Sequence, residues 1–379
     1  MPFHDQRASF EEDWDSLRSR IEVVIDRGKY SHGAEVENLE AAIQRYTGAR
    51  YAIGVNSGTD ALELLYRAAG IGPGDEVILP CFTWISPASM IARVGARPVF
   101  VDIEPGSYTI NVDAAAAVAT ERTRAVVPVH LFCQMANMTA IGRMAADLGI
   151  EVLEDSAEAI GMWYGGAHAG LRGRGGVLSF FPTKTLGTLG DAGAILTDDP
   201  VIADRSRLLR HHGRMGTTIA RISGISNAAG VCGTNSKMDE ILASVLLTRL
   251  ERLSRDIARR AELARLYDDR LSSLADFVAT PRIAARCAAT NPVWYVYLIE
   301  AERRDDLAEY LSASGIETAQ YYPRPLHLQP CFAHLGGVKG QHPIAERACC
   351  RTLALPLYPD MRDSHVDAVG DVIESFYRR

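Results

Sequence analysis

The sequence has no run of about 18 apolar residues, the length a membrane-crossing helix needs. Its opening segment, Met-Pro-Phe-His-Asp-Gln-Arg, lacks an apolar stretch of the signal-peptide kind. A chain that is neither secreted nor membrane-spanning is expected. Paired cysteines are also missing. The seven cysteines are scattered at Cys81, Cys133, Cys232, Cys287 and Cys331, with Cys349 and Cys350 adjacent, so no CxxC motif offers zinc or redox work. Reduced thiols and a cytoplasmic location are the expectation. There is no excess of positive charge. The net charge is -7, which argues against a nucleic-acid partner. No strand-like run is followed by GxGxxG opening a helix, which argues against a nicotinamide-dependent enzyme. The glycine-rich stretch Gly170-Leu-Arg-Gly-Arg-Gly-Gly176 precedes a strand and reads as a loop.

What is present describes an ordinary globular enzyme: 379 residues, 47% hydrophobic and 23% charged. That length accommodates a large domain and a smaller one, expected at 1–250 and 251–379. Short apolar runs at Tyr51-Val55, Glu76-Pro80, Pro98-Asp102, Arg124-Val129, Ile150-Glu154, Val177-Phe181 and Ala192-Leu196 alternate with helical patterns. Runs of this kind are strands buried on both faces, so the fold class is α/β with a mostly parallel sheet covered by helices. Ala61, Leu65 and Ala68 share one helical face; Ile141, Met144, Ala145 and Leu148 share another. Upstream, Leu17, Ile21, Val24 and Ile25 form an amphipathic helix ending near Gly28, and a second helix runs from about Glu35 to Tyr46. A long helical pattern from Met238 to about Leu274 is rich in Arg and Glu. Its charges read as a solvated face on a helix linking the two domains. A strand at Val293-Ile299, a helix at Arg304-Ser314, a Tyr-, Pro- and His-rich loop and a closing helix near Ser364-Tyr377 complete the smaller unit.

Four features at strand ends could carry chemistry. Lys184 lies in Ser179-Phe-Phe-Pro-Thr-Lys184, in a tight turn between two apolar strands. It is either a surface hairpin lysine or an amine placed to bond an aldehyde, and soluble enzymes of the second kind mostly hold pyridoxal 5'-phosphate (PLP). Ser57-Gly58-Thr59-Asp60 follows a strand and opens a helix. It is either a simple N-cap or a phosphate cradle of free backbone N–H groups. Asp155 ends the strand Ile150-Glu154, where open α/β sheets bind ligands. It either caps the next helix or pairs with a protonated pyridine nitrogen. Trp84, just past Glu76-Pro80, is either a core residue or a plate for a flat ring.

In that conjunction the sequence resembles the fold-type-I PLP enzymes, and among them the DegT/StrS-type sugar aminotransferases. The matching segments are Asn56-Ser-Gly-Thr-Asp-Ala-Leu62, Pro73-Gly-Asp-Glu-Val77, Pro128-Val-His-Leu131, Glu154-Asp155, Ser179-Phe-Phe-Pro-Thr-Lys184, Gly190-Asp-Ala-Gly193, Gly233-Thr-Asn-Ser-Lys-Met-Asp-Glu240 and Pro325-Leu-His-Leu-Gln-Pro330. The resemblance implies that Lys184 bonds the cofactor, Asp155 partners its ring nitrogen and Trp84 stacks on the ring. It implies that Gly58, Thr59, Asp60 and Ser179 bind the phosphate. It further implies that Asn235 reaches the phosphate in a neighbouring subunit, hence a homodimer with shared active sites.

Glu158 stands where the family usually has glutamine near the phenolic oxygen, so it either holds a proton or faces elsewhere. Cys133 replaces a usual glycine and Leu242 a usual glutamine. The implied reaction moves an amino group from L-glutamate to a keto-sugar, with Lys184 shuttling the proton. The Asn235-Ser-Lys-Met-Asp-Glu240 variant resembles enzymes that aminate C3 of a thymidine-diphosphate keto-hexose; a 4-keto sugar or a keto-cyclitol is the alternative. Dehydratases of the family usually carry histidine at the lysine position, which Lys184 argues against; a non-catalytic regulator of the same fold is the remaining rival. Tyr322 and His327, in Gln320-Tyr-Tyr-Pro-Arg-Pro-Leu-His327, either contact substrate or close a domain interface, and Tyr321 is an equal candidate for the tyrosine role.

Overall fold

The computed structural model describes residues 1–214, 228–286 and 288–378. Cys287 lies outside the described residues. Seven strands form the main sheet: β1 (Tyr51–Val55), β2 (Glu76–Pro80), β3 (Arg97–Val101), β4 (Thr123–Val126), β5 (Glu151–Asp155), β6 (Gly175–Ser179) and β7 (Gly193–Thr197). Their order across the sheet is β1-β7-β6-β5-β4-β2-β3, with every neighbouring pair parallel except those made by β7. The mostly parallel α/β architecture expected from the continuous apolar runs is present, with boundaries moved by up to three residues.

Reversal of β7 has a local consequence. Its register sets Gly193 opposite Val55 on one side and Ser179 on the other, so the first residue of β7 lies level with the last residues of β1 and β6. All three therefore meet at the edge where parallel α/β sheets bind ligands.

Helices cover both faces. In the helix Gly58–Ala68, Ala61, Leu65 and Ala68 are fully buried, as their spacing requires. Burying each leucine contributes about 2 kcal/mol. In the helix Met138–Leu148, Ile141, Met144 and Ala145 are buried, but Leu148 is 41% exposed because it is the final residue before the Gly149 C-cap. The helix Trp14–Arg27 ends at Gly28 in the left-handed conformation, φ 61°. Its Leu17 and Val24 are buried; Ile25, placed on the same face by periodicity, is 51% exposed. No helix among the described residues is long and apolar enough to cross a membrane.

The helix Glu240–Leu271 is 32 residues long. Its first half packs Ala243, Leu246 and Leu253 against the helix Ala34–Thr47 and the main sheet; its last turns pack Leu263, Ala264, Tyr267 and Leu271 into a second core. That core is built on a three-stranded antiparallel sheet, Val278–Ala279, Tyr297–Ala301 and Thr352–Leu355, covered by Arg304–Ala313 and Asp363–Tyr377.

The charges of the long helix are not all on a solvated face. Arg249, Arg252, Asp256 and Arg260 are buried. Packing on two sides leaves little of the helix facing water, and each guanidinium finds an internal acceptor. Arg252 pairs with Asp256 at 2.9 Å, and Arg249 donates to Gly187 O at 2.9 Å. Arg260, 2% exposed, donates to the carbonyls of Trp294, Tyr295 and Leu357.

Candidate active site

Lys184 sits in the turn joining β6 to β7. The turn is closed by Lys184 N–H donating to Phe181 O at 2.8 Å and Thr188 N–H to Phe180 O at 2.9 Å. It is too tight for anything but glycine at position 187, where an added Cβ would come within 2.5 Å of Pro182 O. The side chain folds inward and is only 15% exposed, so a solvated hairpin lysine is ruled out. Its Nζ donates to Glu158 Oε1 at 3.2 Å and lies 4.2 Å from the centroid of the Tyr295 ring. A carboxylate on one side and a π-face on the other hold the amine to a small arc.

Asp155 ends β5, held in place by backbone bonds to Pro128 O and from His130 N–H. Its Oδ1 accepts the Ala157 N–H at 3.1 Å, a local turn bond. Burial pushes the carboxyl up to about 6, opposed by that N–H and by the Lys184 ammonium. A buried acid so raised lacks a cation bonded to it, and a protonated ring nitrogen would supply one. The preceding residue, Glu154, is fully buried and structural. It accepts from the backbone N–H groups of Gly170, Arg172 and Gly173 and pairs with His130 Nε2 at 2.9 Å. His130 Nδ1 accepts the Ala136 N–H at 3.2 Å, which fixes the neutral tautomer with the proton on Nε2. The glycine-rich loop is thus the wrapping of Glu154.

Glu158 faces the lysine rather than turning elsewhere. Its Oε1 accepts from Lys184, and its Oε2 accepts the Phe132 N–H at 3.0 Å. Phe132 has φ 64°, so the carboxylate pins a left-handed residue.

The segment Ser57–Asp60 meets both expectations at once. Ser57 caps the helix by accepting Asp60 N–H at 3.0 Å. Close approach is also enforced: a Cβ on Gly58 would lie 2.8 Å from Ser179 Cβ, and one on Gly193 2.6 Å from Ser57 O. Three chain segments therefore converge on a helix N-terminus with only room for backbone N–H groups and small hydroxyls, which suits a phosphate. Thr59 Oγ1 is 3.0 Å from Ser86 Oγ, and Asp60 accepts a bond from the Ser236 hydroxyl. Asn235 is exposed, and its side-chain oxygen accepts from Lys237 Nζ.

Trp84 is 61% exposed, so it is no core residue, and its ring centroid stands 6.3 Å from that of Tyr322. Tyr322 is buried among Phe82, Phe132 and Trp84. Tyr321 is the tyrosine that joins the lysine cluster, through its hydroxyl 3.4 Å from Tyr295 OH. Tyr295 also has its hydroxyl 3.3 Å from Thr183 Oγ1; burial, then the Glu158 carboxylate, push this phenol up to about 12. His327 is not brought to the lysine cluster: it is 2% exposed, its Nε2 is 3.2 Å from Glu346 Oε1, and its ring packs on His342. Its Nδ1 has no hydrogen-bond partner. Sequence reasoning missed Tyr295, Ser86 and Ser236. Ser86 lies two residues after Trp84 and Ser236 next to Asn235, but nothing in either segment marked the hydroxyl, and Tyr295 sits in a run whose four residues are all buried.

A buried unpaired acid, a narrow N–H-lined cradle, an exposed indole and an inward-facing primary amine fit PLP. The DegT/DnrJ/EryC1/StrS aminotransferase family model matches residues 13–374. The chain belongs to that family. It is a PLP-dependent aminotransferase. Among its relatives, a protein of Geobacillus stearothermophilus named "Pleiotropic regulatory protein" is 40% identical over 372 residues, 97% of each chain. The dTDP-3-amino-3,4,6-trideoxy-alpha-D-glucose transaminase of Streptomyces venezuelae is 38% identical, covering 100% of this chain and 97% of the relative. The solved structure of S. venezuelae DesV in complex with a ketimine intermediate superposes with a TM-score of 0.93 at 37% identity, covering 100% and 98% of the two chains.

Proposed function

We propose that the protein transfers an amino group from L-glutamate to C3 of a nucleotide-linked 3-keto-6-deoxyhexose, with dTDP as the nucleotide, in amino-sugar biosynthesis. The observation carrying this reading is the Lys184 amine, held 3.2 Å from Glu158 and 4.2 Å from the Tyr295 ring in the turn between β6 and β7. The named activity of the S. venezuelae relative supports the sugar class, and the Asn235–Glu240 segment supports C3.

PLP, when bound, supplies an aldehyde for the amine and a ring that draws electrons from the substrate carbon. The chain's own residues do the rest. Lys184 is the anchor, and once freed its Nζ takes the proton from Cα of glutamate. In the second half-reaction the same nitrogen returns a proton to the sugar carbon. Glu158 and Tyr295 keep that nitrogen from swinging away while it is unbonded. Asp155 would pair with a protonated ring nitrogen and so keep the ring electron-poor. Trp84, exposed beside the site, would stack on the ring. The N–H groups of Gly58 and Thr59, with Thr59, Asp60 and Ser179 around them, hold the phosphate.

A homodimer belongs to this reading, with Asn235 reaching the neighbouring site. Support comes from large apolar side chains left exposed around the lysine turn: Trp84 at 61%, Leu189 at 48% and Phe181 at 45%. A cytoplasmic location is supported by the six described cysteines, all free. The division into a PLP-binding domain, 1–250, and a small domain, 251–379, is supported by the two cores that share the helix Glu240–Leu271.

The test incubates the purified yellow protein with L-glutamate and follows conversion of its absorbance to that of the amine form. A panel of 3-keto and 4-keto nucleotide sugars and keto-cyclitols is then offered, with products read by mass. No conversion with glutamate overturns the reading. Amination of the 4-keto sugar or the cyclitol alone moves it to those substrates.

A further inference from the structure

Behind the end of β2, Cys81, His327 and His342 form a buried cluster that the transaminase reaction does not use. The Cys81 sulfur and one nitrogen from each imidazole all lie within 4.8 Å of one another. Cys81 is fully buried, His327 2% exposed and His342 8% exposed. His327 Nδ1 and His342 Nε2 have no hydrogen-bond partner although both are buried. A buried imidazole nitrogen without a partner is costly, and two of them lie here beside one thiol.

We propose that Cys81, His327 and His342 bind a zinc ion, with a water in the fourth place. The donor set is the nitrogen and sulfur mixture that zinc takes, and tetrahedral bonds of about 2.1 Å to nitrogen and 2.3 Å to sulfur need a contraction of roughly an ångström. The other nitrogen of His327 is already held by Glu346 Oε1 at 3.2 Å, the carboxylate support usual behind a ligating histidine. Metal binding would form the Zn–S bond as the Cys81 thiol proton leaves to water.

The site would fasten two segments of the active-site wall. Cys81 lies three positions before Trp84, and His327 five after Tyr322. The Leu326 N–H already donates to Cys81 O at 2.7 Å, and the ion would lock that contact from the side chains. His342 ties in the helix Pro343–Arg351, whose first N–H groups are capped by Asp102.

The experiment uses PLP-loaded full-length protein exchanged against Zn²⁺ and, separately, Co²⁺, then freed of loose metal by gel filtration. One equivalent per chain is expected, with the thiolate charge-transfer and tetrahedral d–d bands of Co²⁺. Cys81→Ser and His342→Gln should each remove the bands and at least ten-fold of the affinity; Cys232→Ser, at an exposed thiol, should not. Failure of the wild-type protein to retain metal overturns the proposal, as does unchanged retention in both site variants. Should one variant not fold, the wild-type stoichiometry and the Co²⁺ spectrum still decide.

Discussion

Lys184 Nζ and Glu158 Oε1 stand 3.2 Å apart, and the other oxygen of that carboxylate holds the Phe132 N–H at 3.0 Å. One side chain therefore steadies both the reactive amine and the left-handed turn beside it. Glu158→Gln keeps an acceptor for Phe132 and should retain turnover within about tenfold, the scale of one partly buried charge interaction. Glu158→Ala leaves the Phe132 N–H unpaired, so it should also lose about 1–3 kcal/mol of stability. Steady-state rates and chemical denaturation of the two variants check this.

Removing the amine should be far more severe. Lys184→Ala and Lys184→Arg should abolish the imine absorbance of the holoprotein and reduce turnover by at least about 10³-fold, since both covalent anchor and proton carrier are lost. A variant that transaminates at the normal rate would remove Lys184 from its assigned role.

Asp155 couples function to pH. Burial holds it at about 6 in the cofactor-free chain, against 3.8 ordinarily. The folded chain binds this proton more tightly than the unfolded chain, so ionisation opposes folding fully above about pH 6 and fades as pH falls towards 3.8. Cofactor-free Asp155→Asn should therefore be more stable than wild type near pH 8, by up to about 3 kcal/mol, and lose that advantage near pH 4. Thermal melts at the two pH values read the effect. Transamination by the same variant should fall by about 10²-fold or more, because the ring's charge is no longer fixed.

The Tyr295 ring is separable from its hydroxyl. Tyr295→Phe keeps the π-face under Lys184 and should cost less than about threefold in rate, whereas Tyr295→Leu should cost about 1–2 kcal/mol of transition-state stabilisation. Comparing kcat for the pair isolates the ring.

Arg260 is a structural residue one layer behind the site, bonded to the backbone of Tyr295. Its guanidinium serves the carbonyls of Trp294, Tyr295 and Leu357 from full burial. Arg260→Met should destabilise the fold by about 3–5 kcal/mol. All three bonds come from one nitrogen, Nη1, so Arg260→Lys, whose ammonium also carries three donors, should recover part of the loss. Urea midpoints measure both.

Much of this molecule was legible from residue patterns because its strands are buried on both faces and so read as unbroken apolar runs. The lysine and the acid at 155 were visible because they interrupt or end those runs. Reversal of β7 was not, since Gly193-Ala-Ile-Leu-Thr197 looks the same in either direction. The arginines of the long helix misled for a related reason: the spacing that makes i,i+4 surface pairs also serves side chains turned to buried carbonyls. His327 misled because a histidine in an aromatic loop looks like a ligand contact whether its ring points into a cleft or towards Glu346. Tyr295, Ser86 and Ser236 were silent because tertiary packing alone brings them to the site.

The helix Glu240–Leu271 has a mechanical consequence. One continuous rod is the spine of both cores, so neither can loosen without fraying the element that the other rests on. Heating should therefore give a single calorimetric endotherm rather than two. Any opening between the sheets must then carry the wall bearing Tyr295 with the rod, because Arg260 holds the Tyr295 carbonyl at 3.1 Å.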